Sequence, residues 1–109
     1  MIFESTLLFK RQLKKLSKKY PHIKKDIETF VDDFIQLHEE AISIKKSIFK
    51  IRIANSDKNK GKRSGYRVYY YYKIDNVVYM ISIYDKSQIE MIDEKIVLKE
   101  IMEFLDKKS

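Results

Sequence analysis

The apolar residues of this chain change period once, near Ser47, and that single change limits the folds open to it. Upstream, Phe9, Leu13, Leu16 and Tyr20 recur at helical spacing, and Ile23, Ile27, Phe30, Val31, Phe34 and Ile35 make a second, stronger stripe. Downstream the period is two. In SIFKIRIA (47–54), Phe49, Ile51 and Ile53 alternate with Ile48, Lys50 and Arg52. YRVYYYYK (66–73) and VVYMISIY (77–84) follow, rich in aromatic and β-branched residues. A helical half followed by a strand half predicts an α+β domain. Residues 2–4 read as a short strand, and Ser5 or Thr6 as the cap of the first helix. Pro21 divides the two helices into an antiparallel hairpin. SQIE (87–90) reads as a capping box between Ser87 and Glu90, and Asp93 as the cap of a last helix carrying Ile96, Val97, Ile101, Met102 and Leu105. The expected architecture is a small antiparallel sheet packed on an N-terminal helical hairpin, with a C-terminal helix, all of residues 1–109 forming one domain.

Asp75 and Asn76 suit a two-residue hairpin turn, which sets a register: Tyr72 faces Tyr79, Tyr69 faces Ser82 and Arg67 faces Tyr84. Alternation then puts Tyr66, Val68, Tyr70 and Tyr72 on one face with Tyr79, Ile81 and Ile83, against the helices. Arg67, Tyr69, Tyr71, Lys73, Met80, Ser82 and Tyr84 share the other. A slip of one residue inverts the assignment.

The formal charge of +7 is unevenly placed: residues 45–73 hold 10 Lys or Arg against 1 Asp or Glu, and residues 74–109 hold 5 against 8. A localised cationic field suits a phosphate backbone or another acidic partner, whereas a charge kept for solubility is usually spread out. With no cysteine, disulfides and thiolate metal sites are excluded. No apolar run approaches the ~20 residues that span a bilayer. The start, MIFESTLLF, has an acid where a signal peptide carries cations, so a cytoplasmic protein is expected.

The cations converge on one expected face. Arg52 and Arg67 come from different strands but point the same way, and Lys86, two residues past Tyr84, stays with them. Lys58, Lys60, Lys62 and Arg63 lie in the intervening loop, where Gly61 and Gly65 let the backbone bend. Tyr69 and Tyr71, among these cations, are candidates to stack on bases. RNA carries its own nucleophile, the 2′-hydroxyl, and arginine and lysine stabilise charge developing on a phosphate. His22 and His38 sit on the helical hairpin and read as ordinary helix residues. No cluster of Asp or Glu suggests a metal, so the chemistry open to the chain is metal-free and uses no cofactor.

From Lys50 to Glu90 the order of motifs resembles the RelE/ParE superfamily of toxins from type II toxin–antitoxin pairs, in its HigB/RelE-like branch. The matching pieces are the K-x-R strand at Lys50 and Arg52, a loop ending in GKRSG (61–65), the G-x-R-V-x-Y-Y strand from Gly65, and Tyr84, Lys86 and Glu90 at the exit of the next strand. The resemblance implies a RelE-like microbial RNase fold and a ribosome-dependent mRNA endonuclease acting in the A site. Cleavage by 2′-hydroxyl attack leaves a 2′,3′-cyclic phosphate and a 5′-hydroxyl. It also implies a cognate antitoxin protein as partner. By position it assigns Arg52, Lys62, Arg67 and Lys86 to the scissile phosphate, Tyr84 as a candidate proton acceptor, and Lys50, Lys58, Lys60 and Arg63, with Tyr69 and Tyr71, to RNA binding. The chain departs from the pattern at Arg63 and Ser64, where relatives often carry small residues. No tyrosine follows Tyr84, so the general base is unassigned. Two other readings stay open: a ParE-like toxin acting on DNA gyrase without cutting RNA, and a non-catalytic basic module that binds RNA or the ribosome.

Overall fold

The computed structural model describes residues 1–73, 75–87 and 94–108, and in the last helix the side chains of 95, 96, 98–104 and 106. In chain order the elements are β1 (Ile2–Ser5), α1 (Leu7–Lys19), α2 (Ile23–Asp32), α3 (Phe34–His38), β2 (Ile42–Lys45), β3 (Ile48–Ile53), a 3-10 turn (Lys62–Ser64), β4 (Tyr66–Tyr72), β5 (Val77–Asp85) and α4 (Glu94–Lys108). The fold is mixed α+β, with one five-stranded sheet in the order β1-β5-β4-β3-β2. No described helix is long and apolar enough to cross a membrane. The expected Ser87–Glu90 capping box, the Asp93 cap, Ile74, expected opposite Val77 beside the hairpin turn, and the Val97 and Leu105 side chains lie outside the described residues.

Three features differ from expectation. The sheet is not wholly antiparallel, because β1 runs parallel to β5 from Ile2 opposite Val77 to Ser5 opposite Met80. A strand not anticipated, β2, pairs with β3 through a tight turn in which Ser47 adopts φ 66°. The second apolar stripe is broken at Asp33, so it builds α2 and the short α3 rather than one helix.

The sheet is covered on both faces. On one, α1 to α3 lay Phe9, Leu16, Ile23, Phe30 and Phe34 over Ile51, Val68, Tyr70 and Met80. On the other, Ile101 of α4, flanked by Leu98 and Phe104, closes over Ile48, Tyr69, Ile81 and Tyr84. Each large side chain removed from water in this way contributes about 1.5–3 kcal/mol. Double coverage explains the run of four tyrosines: a strand buried on both sides has no polar face to alternate with.

The β4–β5 register holds from Tyr66 opposite Asp85 to Tyr69 opposite Ser82, then steps by one, so that Tyr70 faces Met80 and Tyr72 faces Val78. Ile81 is the extra residue of a β-bulge. The step moves Tyr79 and Ile81 from the helical-hairpin side, where they were expected, into the α4 core, and brings Met80 the other way. Polar groups of β5 next to the bulge are satisfied by α1 and its cap. The Thr6 hydroxyl donates to Ile81 O at 2.7 Å, while Gln12 Oε1 accepts from Ile83 N at 2.8 Å and from Ser82 Oγ at 3.1 Å. Thr6 also caps α1, its hydroxyl accepting from Phe9 N at 3.1 Å.

Candidate nucleic-acid interface

Arg52 and Arg67 stand directly opposite each other on β3 and β4, and Arg67 stands opposite Tyr84 on β5. Like charges facing across a ladder are destabilising, so this pair is a cost the fold carries. Arg67 is only 4 % exposed. Its guanidinium turns back on the loop, Nη2 donating to Arg63 O at 2.8 Å and Nη1 to Lys62 O at 3.2 Å and Tyr66 O at 3.4 Å. Burial, and after it the facing Arg52 guanidinium, lowers the Arg67 pKa from its ordinary value; Tyr84 and Asp85 oppose that shift. Above the pair opens a cleft of about 420 Å³ lined by five cations, Lys50, Arg52, Lys62, Arg63 and Arg67, and by one carboxylate, Glu40. Glu40 Oε2 accepts from Lys62 Nζ at 2.9 Å, and both side chains are about half exposed or more.

The loop between β3 and β4 is held from its other side by Lys58. Its ammonium donates to Ser64 O at 2.9 Å and to Asp85 Oδ2 at 2.8 Å. Successive carbonyls at 62, 63 and 64 therefore each meet a cation rooted in the fold. Asp85 is fully buried. It also accepts from Asn55 Nδ2 at 3.3 Å, from the Tyr20 hydroxyl at 3.2 Å, from Ser87 N at 3.1 Å and from Ser87 Oγ. Burial alone would push this carboxyl up, but the bonds from Lys58, Ser87 and Asn55 outweigh it and hold the pKa below the usual carboxylate range. The early part of the loop is tied to α2. Asp57 accepts from His22 N at 3.1 Å and contacts His22 Nδ1 at 2.7 Å, and Asp26 accepts from Ser56 N at 3.0 Å.

A second cleft, about 820 Å³, lies beyond this loop and is lined by Lys58, Lys60, Ser64, Lys86 and Ser87. The expected basic face is thus divided. Lys50, Arg52, Lys62, Arg63 and Arg67 come together in the first cleft; Lys58, Lys60 and Lys86 gather in the second. Lys86 does not stay beside Arg67, because the chain turns at the end of β5, where Lys86 N donates to Gly65 O at 3.1 Å.

The tyrosines are placed differently from expectation. Tyr69 is 1 % and Tyr84 4 % exposed. Their rings stack at 6.5 Å beneath α4, so Tyr69 offers no open face to a base. Tyr71 is half-buried against Tyr79 at 5.9 Å, with Lys73 Nζ 5.7 Å from its ring. Lys50 Nζ lies 5.5 Å from the Tyr69 ring, an arrangement that holds the lysine at the cleft edge. Both histidines are engaged elsewhere: His22 with Asp57, and His38 with the Tyr70 hydroxyl 2.6 Å from its Nδ1.

Sequence reading passed over Glu40, Asn55 and Asp85. Asp85 carried a signal, being a charged residue that closes a mostly apolar strand; Glu40, in the turn after α3, carried none. Among the described residues no three His, Asp or Glu side chains gather as a metal site. No family model matches the chain, and no curated protein matches it.

Proposed function

We propose that the chain is the toxin of a toxin–antitoxin pair, similar to the HigB/RelE-like branch, and cleaves mRNA on the ribosome. The observation that carries the reading is the first cleft, where Lys50, Lys62 and Arg63 surround two directly opposed arginines, Arg52 and Arg67, with one carboxylate among them. Such a concentration of like charge works against folding and favours a phosphate that neutralises it. The helical hairpin on one face, the antiparallel strands β3 to β5 and the closing helix agree with the fold the resemblance implies.

In this reading the 2′-oxygen of RNA attacks the adjacent phosphorus, forming the 2′,3′-cyclic phosphate, and the P–O5′ bond breaks to leave a 5′-hydroxyl. Arg52, Lys62 and Arg63 are exposed on the cleft wall and neutralise the crowded phosphate. Arg67 acts through them as a positioning residue, its guanidinium fixing the carbonyls of Lys62 and Arg63. Lys60 and Lys86, in the second cleft, hold a flanking phosphate of the same strand. An antitoxin that covers the clefts with acidic side chains silences the activity.

Mapping transcript 5′ ends after induction of the wild-type chain and of Arg52→Ala tests this. New 5′-hydroxyl ends within reading frames, together with growth arrest, are expected from the wild type. The Arg52→Ala chain should still bind ribosomes and leave transcripts whole. Arrest with intact transcripts and damaged DNA would instead indicate the gyrase-directed alternative. Ribosome binding without cleavage by the wild type would indicate a binding module.

A further inference from the structure

The reaction proposed above needs a group that takes the 2′-hydroxyl proton, and the usual donors of that service are occupied. His22 is paired with Asp57, and His38 is enclosed by rings and bonded to Tyr70. Tyr69 and Tyr84 are packed beneath α4. Every other charged group lining the first cleft is a lysine or arginine, which offers donors and no acceptor: Lys50 and Arg52 from β3, Lys62 and Arg63 from the 3-10 turn, and Arg67 from β4. Glu40 is the one anion there among the described residues.

We infer that Glu40 is the general base of this site. Glu40 lies between α3 and β2 in the chain, and its side chain lines the same cleft as the opposed arginines. The contact of 2.9 Å with Lys62 Nζ fixes its direction. An exposed pair of this kind adds little to stability, so its place among five cations is explained better by chemistry than by folding. In the step itself the 2′-hydroxyl proton passes to a Glu40 oxygen as the O2′–P bond forms. The departing 5′-oxygen takes a proton from water, and Glu40 returns its own to solvent. Arg52 and Lys62 hold the phosphate against the repulsion of the carboxylate.

The inference rests on the ribonuclease reading, and the test separates the two. Single-turnover cleavage of ribosome-bound mRNA is measured against pH for the wild type, Glu40→Gln and Glu40→Asp, with binding of a 2′-deoxy oligonucleotide as a second readout. Glu40→Gln is expected to lower the cleavage rate about 10²–10⁴-fold and to flatten the acid limb of the pH profile. Binding of the uncleavable strand should be unchanged or tighter, because a negative charge has gone. Glu40→Asp, which keeps the carboxylate, should recover part of the rate. A Glu40→Gln chain that cuts at the wild-type rate with the wild-type profile overturns the inference and leaves the ribonuclease reading standing. A wild-type chain that cuts no RNA overturns both. Glu40 is exposed, so loss of fold is not the expected cause of lost activity; matching thermal melts of the variants check this.

Discussion

Gly65 has no room for a side chain. A Cβ built there stands 2.0 Å from Ile53 O and 2.9 Å from Asn55 N, both backbone atoms. Gly65→Ala is expected to push the start of β4 away from the end of β3 and to cost about 3 kcal/mol, the top of the usual range for overpacking. Gly61, with φ +80°, ψ −176° and open space around it, should lose about 1–3 kcal/mol as alanine, from backbone strain alone. Urea titration of the two variants distinguishes contact from conformation. His38 makes a second prediction at this scale. It stacks on Phe34 at 5.4 Å and meets Phe49 edge-on at 4.5 Å, and burial lowers its pKa below the ordinary 6.5. Burial also pushes the Tyr70 phenol up, so that hydroxyl keeps its proton 2.6 Å from the imidazole Nδ1. Below pH 6.5 the unfolded chain binds a proton that the folded chain refuses. Stability therefore falls as pH drops from that value to the lower folded pKa, by about 1.4 kcal/mol for each unit between them. Denaturation midpoints measured across this window should slope for the wild type, and the part due to His38 should vanish in His38→Gln.

At the scale of elements, α1 does more than cover the sheet. Its Gln12 supplies the acceptor for Ile83 N and Ser82 Oγ, next to the extra residue of β5. Gln12→Ala should leave Ile83 N–H without an acceptor at a buried position and cost about 1–3 kcal/mol, read by thermal or urea unfolding. The helices themselves were legible: Phe9, Leu16, Ile23 and Phe30 are buried as their spacing predicts. The bulge was not, because nothing in VVYMISIY marks where an extra residue enters. The bonds beside it come from Thr6 and Gln12, remote in sequence, and across the bulge Tyr79 and Ile81 exchanged faces with Met80. The strand β2 escaped notice because ISIK is short and its Ile42 is exposed, leaving no buried alternation to read. The identity of the face under α4 was equally hidden, since a helix stripe says how much it buries and not which surface it buries against.

For the molecule as a whole, the charge excess in residues 45–73 was plain in the sequence, but the division of labour among the cations was not. Arg67 and Lys58 are spent on holding the loop, one from each side, whereas Arg52, Lys60, Arg63 and Lys86 remain exposed at the clefts. Charge is written in a side chain's identity; its partner is decided by tertiary placement. If Lys86 serves a flanking phosphate, Lys86→Ala should weaken RNA binding and shallow the salt dependence of log K by about one unit of slope. The rate at which bound RNA is cut should not change. Titration of an RNA oligonucleotide at several salt concentrations, beside single-turnover cleavage, measures both. The loop that separates the clefts is already ordered by its internal bonds, so little freedom remains to be lost when a strand settles over it.

The parallel pairing of β1 with β5 sets a condition on timing. Thr6, at the end of β1, bonds to Ile81, 75 residues later, and a sheet closed by so distant a contact forms late. A chain still emerging from the ribosome, with residue 77 not yet made, already has the arginine of β3 and the cationic loop. It lacks the carboxylate of Asp85 that anchors Lys58 and the strand that backs Arg67. The clefts are therefore complete only once β5 has been made, and a protein whose proposed target is translation acquires its working surface only after its own residues 77–85 have been translated.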